Sequence, residues 1–191
     1  MLAVDEINLY DDTTEWPRRL RWMRVVDFAH SERQRSGDDP DWTAATLLAF
    51  HKDADGALHL YIRHVGRIRG TTVGRDAYLQ SLFDSDPDGT EIVLERTTDS
   101  IDAVEAWKYS LRGKRRVSTW SPSTDKVVRA SWLEPIFEAG HVHVLRGEWL
   151  HEWMDEVRAF PSVAHDDQVD TLTAGYAHFT RAPDTSALTA W

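Results

Sequence analysis

The stretch FPSVAHDDQVDTLTAGYAHF, residues 160–179, sets Asp166, Asp167 and Asp170 at the start of a segment with otherwise apolar helical spacing. On a helix, Asp166 and Asp170 stand four apart and Asp167 and Asp170 three apart, so at least two carboxylates share a face and repel one another. Acids near a helix N-terminus gain from the helix dipole, and capping accounts for one aspartate or even two. It does not account for Asp170, which lies beside the apolar face. A divalent cation does, because Mg²⁺ and Mn²⁺ take oxygen ligands and their charge relieves the repulsion. Two more acids end apolar runs: Asp27 closes RVVD and Glu95 closes EIVLE. A charge buried without a partner is costly or shifts its pKa. Either each is satisfied locally, Asp27 by loop amides and Glu95 by a neighbouring arginine, or they belong to a shared site. His165 is the one histidine placed to neighbour a metal or move a proton there. His141 and His143, two apart on a strand, read as surface residues.

These residues need elements to carry them. Residues 1–20 read as an extended acidic lead-in ending near Pro17. Strand patterns follow in LRWMRVVDFAH, WTAATLLAFHK and ALHLYIRHVGRIRG, separated by the polar loop SERQRSGDDPD and the turn DADG, which predicts an antiparallel meander. Helical spacing over 72–85 gives way to the short buried strand TEIVLERT, and helices and strands then alternate. The expected order is a helix over 100–113, a strand over 115–122, a helix over 123–140, a strand over 141–146, a helix over 147–160 and the HDDQVD helix. The tail 181–191 reads as frayed. Trp132, Trp149 and Trp153 fall on apolar helix faces and are expected in the core. The fold expected is α/β: a ribonuclease H-like mixed sheet, meander first, with helices on both faces. Acids distant in sequence can meet at one end of such a sheet.

With 191 residues, 41% of them hydrophobic, the chain suits one domain, placed here at 21–180. No apolar run reaches the roughly 18 residues of a membrane span, and the acidic start is unlike a signal peptide. The absence of cysteine excludes disulfides and thiolate metal sites and suits a reducing cytoplasm. A net charge of −10 argues against a general phosphate binder, but the charge is concentrated in the flanks and residues 61–130 are nearly balanced. Arg63, Arg67 and Arg69 on one strand and its exit, RGKRR at 112–116 with Lys114 and Arg115, and Lys126 at a helix start are candidate phosphate contacts. Each could equally be solvated surface.

Taken in order, RVVDFAHSE, DWTAATLLAFHKDADGALHLYI, EIVLERT and STDKVVRASWLEPIFEAGHVHVLRGEWLHEWMDEVRAFPSVAHDDQVDTLTAGYAHF resemble the C-terminal nuclease domain of the large terminase subunit of tailed bacteriophages. The likeness spans residues 20–180. It implies a ribonuclease H-like fold and a metal-dependent endonuclease that cuts double-stranded DNA during genome packaging in the host cytoplasm. Carried over by motif, Asp27 is the first-strand acid, Glu95 the central acid, and the HDDQVD carboxylates the third ligand. Neighbouring helical residues point about 100° apart, and Asp167 is favoured over Asp166 as the direct ligand, with Asp170 in support. Two Mg²⁺ or Mn²⁺ ions would serve phosphodiester hydrolysis. The full machine would add an ATPase domain, the portal and the small terminase subunit as partners. No Walker A loop occurs in this chain, so ATP-driven translocation is not expected of it. A junction resolvase on the same fold, or a DNA-clamping module with structural acids, are the competing expectations.

Overall fold

The computed structural model describes residues 2–28, 42–163 and 165–181. Near-continuous apolar runs make strands that bury both faces, successive side chains pointing to opposite sides of the sheet. β1 (Asn8–Tyr10), β2 (Met23–Asp27), β3 (Thr43–Lys52), β4 (Leu58–Ile68), β5 (Glu91–Glu95), β6 (Val117–Trp120) and β7 (Val142–Leu145) form one sheet in the order β1-β7-β4-β3-β2-β5-β6. The expected meander is present, with β2–β3 and β3–β4 antiparallel. β5 and β6 extend the sheet in parallel on one side, and β7 and β1 on the other.

The helices are α1 (Thr72–Ser85), α2 (Ile101–Ser110), α3 (Lys126–Ser131), α4 (Glu134–Glu138), α5 (Leu150–Ala159) and α6 (Asp167–Arg181). Val26, Ile92 and Leu94 pack against Leu79, Leu82 and Phe83 of α1 and Val104 and Trp107 of α2. On the other face Val25, Leu48 and Val93 meet Phe137, Trp153, Val157 and Leu172 of α4, α5 and α6. Trp153 is fully buried, and Trp132 and Trp149 pack against this core as expected. A buried ion pair ties β2 to the end of α1: Arg24 bonds Asp86 through Nε at 3.0 Å and through Nη2.

Three expectations need correction. The helix expected over 123–140 is two short ones, because Pro135 in the first turn of α4 has no N–H with which to continue α3. The acidic lead-in is built into the domain: β1 pairs with β7, and Leu2, Val4 and Trp16 are buried. Three residues are too few to show a strand period, and the apolar anchors are scattered among acids. His141 and His143 are half-buried, stacked with His59 at centroid distances of 4.1 and 5.2 Å, and His143 also receives the Tyr10 hydroxyl at 3.1 Å. The loop expected over 31–41 and the tail from 182 lie outside the described residues.

α6 lies directly over β2 and β3. A Cβ on Gly175 would stand 2.9 Å from Leu48 Cδ1 and 3.3 Å from Val25 Cγ2, so glycine permits the close approach, and Thr171 locks the register through its hydroxyl contact with Thr46 at 2.6 Å. Gly175→Val should therefore overpack this contact and cost about 1–3 kcal/mol, read as a lower Tm in calorimetry; an unchanged Tm would mean that α6 sits farther from the sheet.

Candidate metal centre

Parallel pairing of β2 with β5 ends with Val26 opposite Leu94, which leaves Asp27 and Glu95 side by side, one residue further on, at the same sheet end. Each lies two residues beyond a side chain of the α6 face, Val25 or Val93, and so points to that face. Both are only 6% exposed, and their side chains share a hydrogen bond. Two carboxyls in such contact hold a proton between them. Burial pushes the Asp27 pKa well up, and the Glu95 contact and the charges of Glu95, Asp170 and Asp167 push it the same way.

α6 brings the aspartates across this pair. Burial raises the Asp170 pKa to about 6, with Asp166 and Glu95 adding to the rise and Arg129 opposing it. Arg129 Nη2 donates to Asp170 Oδ1 at 2.6 Å, while Lys126 Nζ donates to Asp166 Oδ2. Both cations come from α3, which follows β6, whose Trp120 is paired with Glu95. Local capping does not explain the aspartates. The N–H groups of Gln168 and Val169 both go to Glu156 Oε1 on α5, at 2.7 and 3.2 Å.

Among the described residues, no three acidic or histidine side chains converge closely enough to form a finished metal cage. The carboxylates are instead held by one another, by Lys126 and by Arg129. The donor set still fits a hard cation: oxygen ligands buried at two strand ends and part-buried on one helix, with like charges crowded enough to raise the Asp27 pKa.

The basic residues divide. Arg67 pairs with Ala44, which pairs in turn with Asp27, so it lies level with the acids. Its guanidinium bonds Glu152 at 2.7 Å and reaches Glu156 at 3.7 Å. Arg67 and Arg69 both stack on Trp42, 4.4 and 4.2 Å from the ring centroid, and Arg69 contacts His165 Nε2 at 2.9 Å. Lys114 and Arg115 are elsewhere. They precede β6, whose Val117 pairs with Ile92, at the opposite end of β5 from Glu95. Arg115 is occupied by the carbonyls of Phe83, Asp86 and Pro87 at 2.7–3.3 Å, which makes it a cap for the end of α1. Sequence reasoning missed Glu156, although an acid between buried Trp153 and Val157 is the same signal that marked Asp27. Arg129 and Trp42 carried no such signal.

The family described as the terminase RNaseH-like domain matches residues 24–179. The chain belongs to this family. No curated protein sequence matches it. Solved structures similar to this terminase RNase H-like domain include the large terminase nuclease of thermophilic phage G20c with bound magnesium, at 18% identity and a TM-score of 0.58 over 92% of this chain and 94% of that one. The same nuclease with bound zinc gives 20% identity and 0.56, over 92% and 95%. The large terminase nuclease domain of Thermus phage P74-26 gives 16% identity and 0.56, over 92% and 93%. At these identities the likeness is one of fold, and it bears out the ribonuclease H-like architecture. Among the described residues no helix is long and apolar enough to cross a membrane.

The buried acids give the terminase domain a pH signature. An Asp27 carboxyl whose pKa is raised on folding keeps its proton when buried, whereas the unfolded chain loses it above about pH 4. Its contribution to stability therefore falls as pH rises from there toward the folded pKa. Asp170 adds to the same decline between about 4 and about 6. Asp27→Asn should raise the metal-free Tm at pH 8, with the gain shrinking toward pH 4; a gain independent of pH would show that the buried charge is not its cause.

Proposed function

We propose that this domain hydrolyses phosphodiester bonds of double-stranded DNA with divalent cations held by Asp27, Glu95 and Asp167, and that it does so as the nuclease part of a phage packaging machine. The observation that carries this reading is the buried Asp27–Glu95 pair lying beneath the acids of α6. Asp27 interacts with Glu95, Asp167 and Asp170 together and would be the ligand common to the strand acid and the α6 aspartates. Bound there, Mg²⁺ or Mn²⁺ would lower the pKa of a water and stabilise charge on the phosphate and its leaving oxygen. The residues themselves supply the ligand charge and a rigid mount. Asp166 and Asp170 are braced by Lys126 and Arg129. Lys126 has a half-exposed side chain and can turn from Asp166 to a DNA phosphate. Arg67 and Arg69, aligned by Trp42, offer a second phosphate contact level with the site. His165, bonded to Arg69, belongs to that contact rather than to the ligand set.

Supercoiled plasmid should be cut in Mn²⁺ or Mg²⁺, without ATP and not in chelator. Asp27→Asn should lower the rate by more than about 100-fold, beyond the 10–100-fold usual for groups outside the ligand set. Retained activity in that variant would remove the metal mechanism, and DNA binding without cleavage in any divalent metal would favour a clamping module.

Binding tests the basic residues separately. Replacing Lys126, Arg67 and Arg69 by alanine should weaken duplex binding irrespective of sequence and lower the salt slope by about one unit per lost contact. Arg115→Ala should leave the slope alone and lower the Tm, since its guanidinium is spent on carbonyls. A reversed pattern would put the duplex on the far end of the sheet.

A further inference from the structure

We infer that Glu156 is a positioning residue for the metal centre: it caps α6 from α5 and so releases Asp166 and Asp167 from capping their own helix. The inference rests on the metal-nuclease reading. A helix normally caps itself, with a side-chain oxygen just before the first turn accepting from its second or third N–H. Here those two groups, on Gln168 and Val169, are taken by a carboxylate 12 and 13 residues earlier in the chain. The Gln168 side chain completes the grip by donating to Glu156 Oε2. Glu156 is only 5% exposed and lies between the core residues Trp153 and Val157, so its carboxylate has one place to go. Arg67, 3.7 Å from Oε2, holds the same carboxylate from the β4 side.

This arrangement is unfavourable as a mere cap, because it sets another buried acid beside Asp167. What it gains is a fixed rotation of α6 about its axis. Rotation decides which of two neighbouring aspartates faces Asp27, since consecutive residues diverge by about 100°. The local aspartates then carry their charge outward to the site: Asp166 reaches Lys126, and Asp170 reaches Arg129.

Mn²⁺ titration calorimetry on the whole chain tests this. Glu156→Met keeps the volume and loses both acceptors; it should weaken Mn²⁺ binding at least tenfold. Glu156→Gln keeps one acceptor oxygen for both N–H groups, and the Gln168 amide can turn to meet its NH₂; affinity should return to within threefold of wild type. If Glu156→Met melts below the titration temperature, Gln168→Met, which removes only the side-chain donor, carries the test and should weaken binding at least threefold. Wild-type affinity in the methionine variants, or a glutamine variant as weak as Glu156→Met, overturns the positioning role while leaving the metal reading intact. A wild-type protein that binds no Mn²⁺ overturns the metal reading itself.

Discussion

Holding the Asp27 and Glu95 carboxyls in contact inside the protein requires a proton or a cation between them, and much of the surrounding structure serves that requirement. Parallel strands bring the two residues level, since an acid that ends each apolar run must emerge at the same sheet end. α6, lowered onto the sheet over Gly175, adds further negative charge. The answering positive charge comes from α3, and its two cations differ in kind. Arg129 is buried, held by the Thr124 carbonyl at 2.6 Å and lying 5.4 Å from the Trp120 ring; it is a fixed counter-charge. Lys126 is flexible and half in solvent, a counter-charge that can be exchanged.

How much of this could be read from the residues depends on whether the interaction was local. Asp27 and Glu95 were conspicuous because an apolar strand should contain no acid, and the fold follows from where the periodicity changes from two to that of a helix. The α6 acids stood out through their spacing. What holds those acids was not visible, because the partners come from other elements: Lys126 lies 40 residues from Asp166 and Arg129 41 from Asp170. Arg115 shows the same limit in reverse. A basic run looks like a phosphate contact until the chain is folded, and only then do three carbonyls at the end of α1 claim the guanidinium.

Trp42 illustrates a residue whose role exists only in three dimensions. An indole with two guanidinium groups within 4.4 Å of its ring centre is already occupied and is a poor platform for a base. Its effect is to restrict two long side chains that would otherwise be mobile. Because Arg67 also meets Glu152 and Glu156, the same few side chains join the basic rim to the cap of the acid-bearing helix. Contacts at the rim and order within the site are therefore mechanically linked.

The two margins of the sheet are both short, three residues in β1 and four in β6. An open margin exposes backbone groups that can recruit a strand from another molecule, and brevity is one defence against it. At the β1 margin, Asp5 and Glu6 precede the strand and Asp11 and Asp12 follow it, and Asp5 and Asp11 are paired within the domain to Arg158 and Arg146. The acidic lead-in thus does more than complete the sheet. Its ion pairs anchor the chain before the margin strand to α5 and the chain after it to the end of β7, so the margin is held in place as well as kept brief.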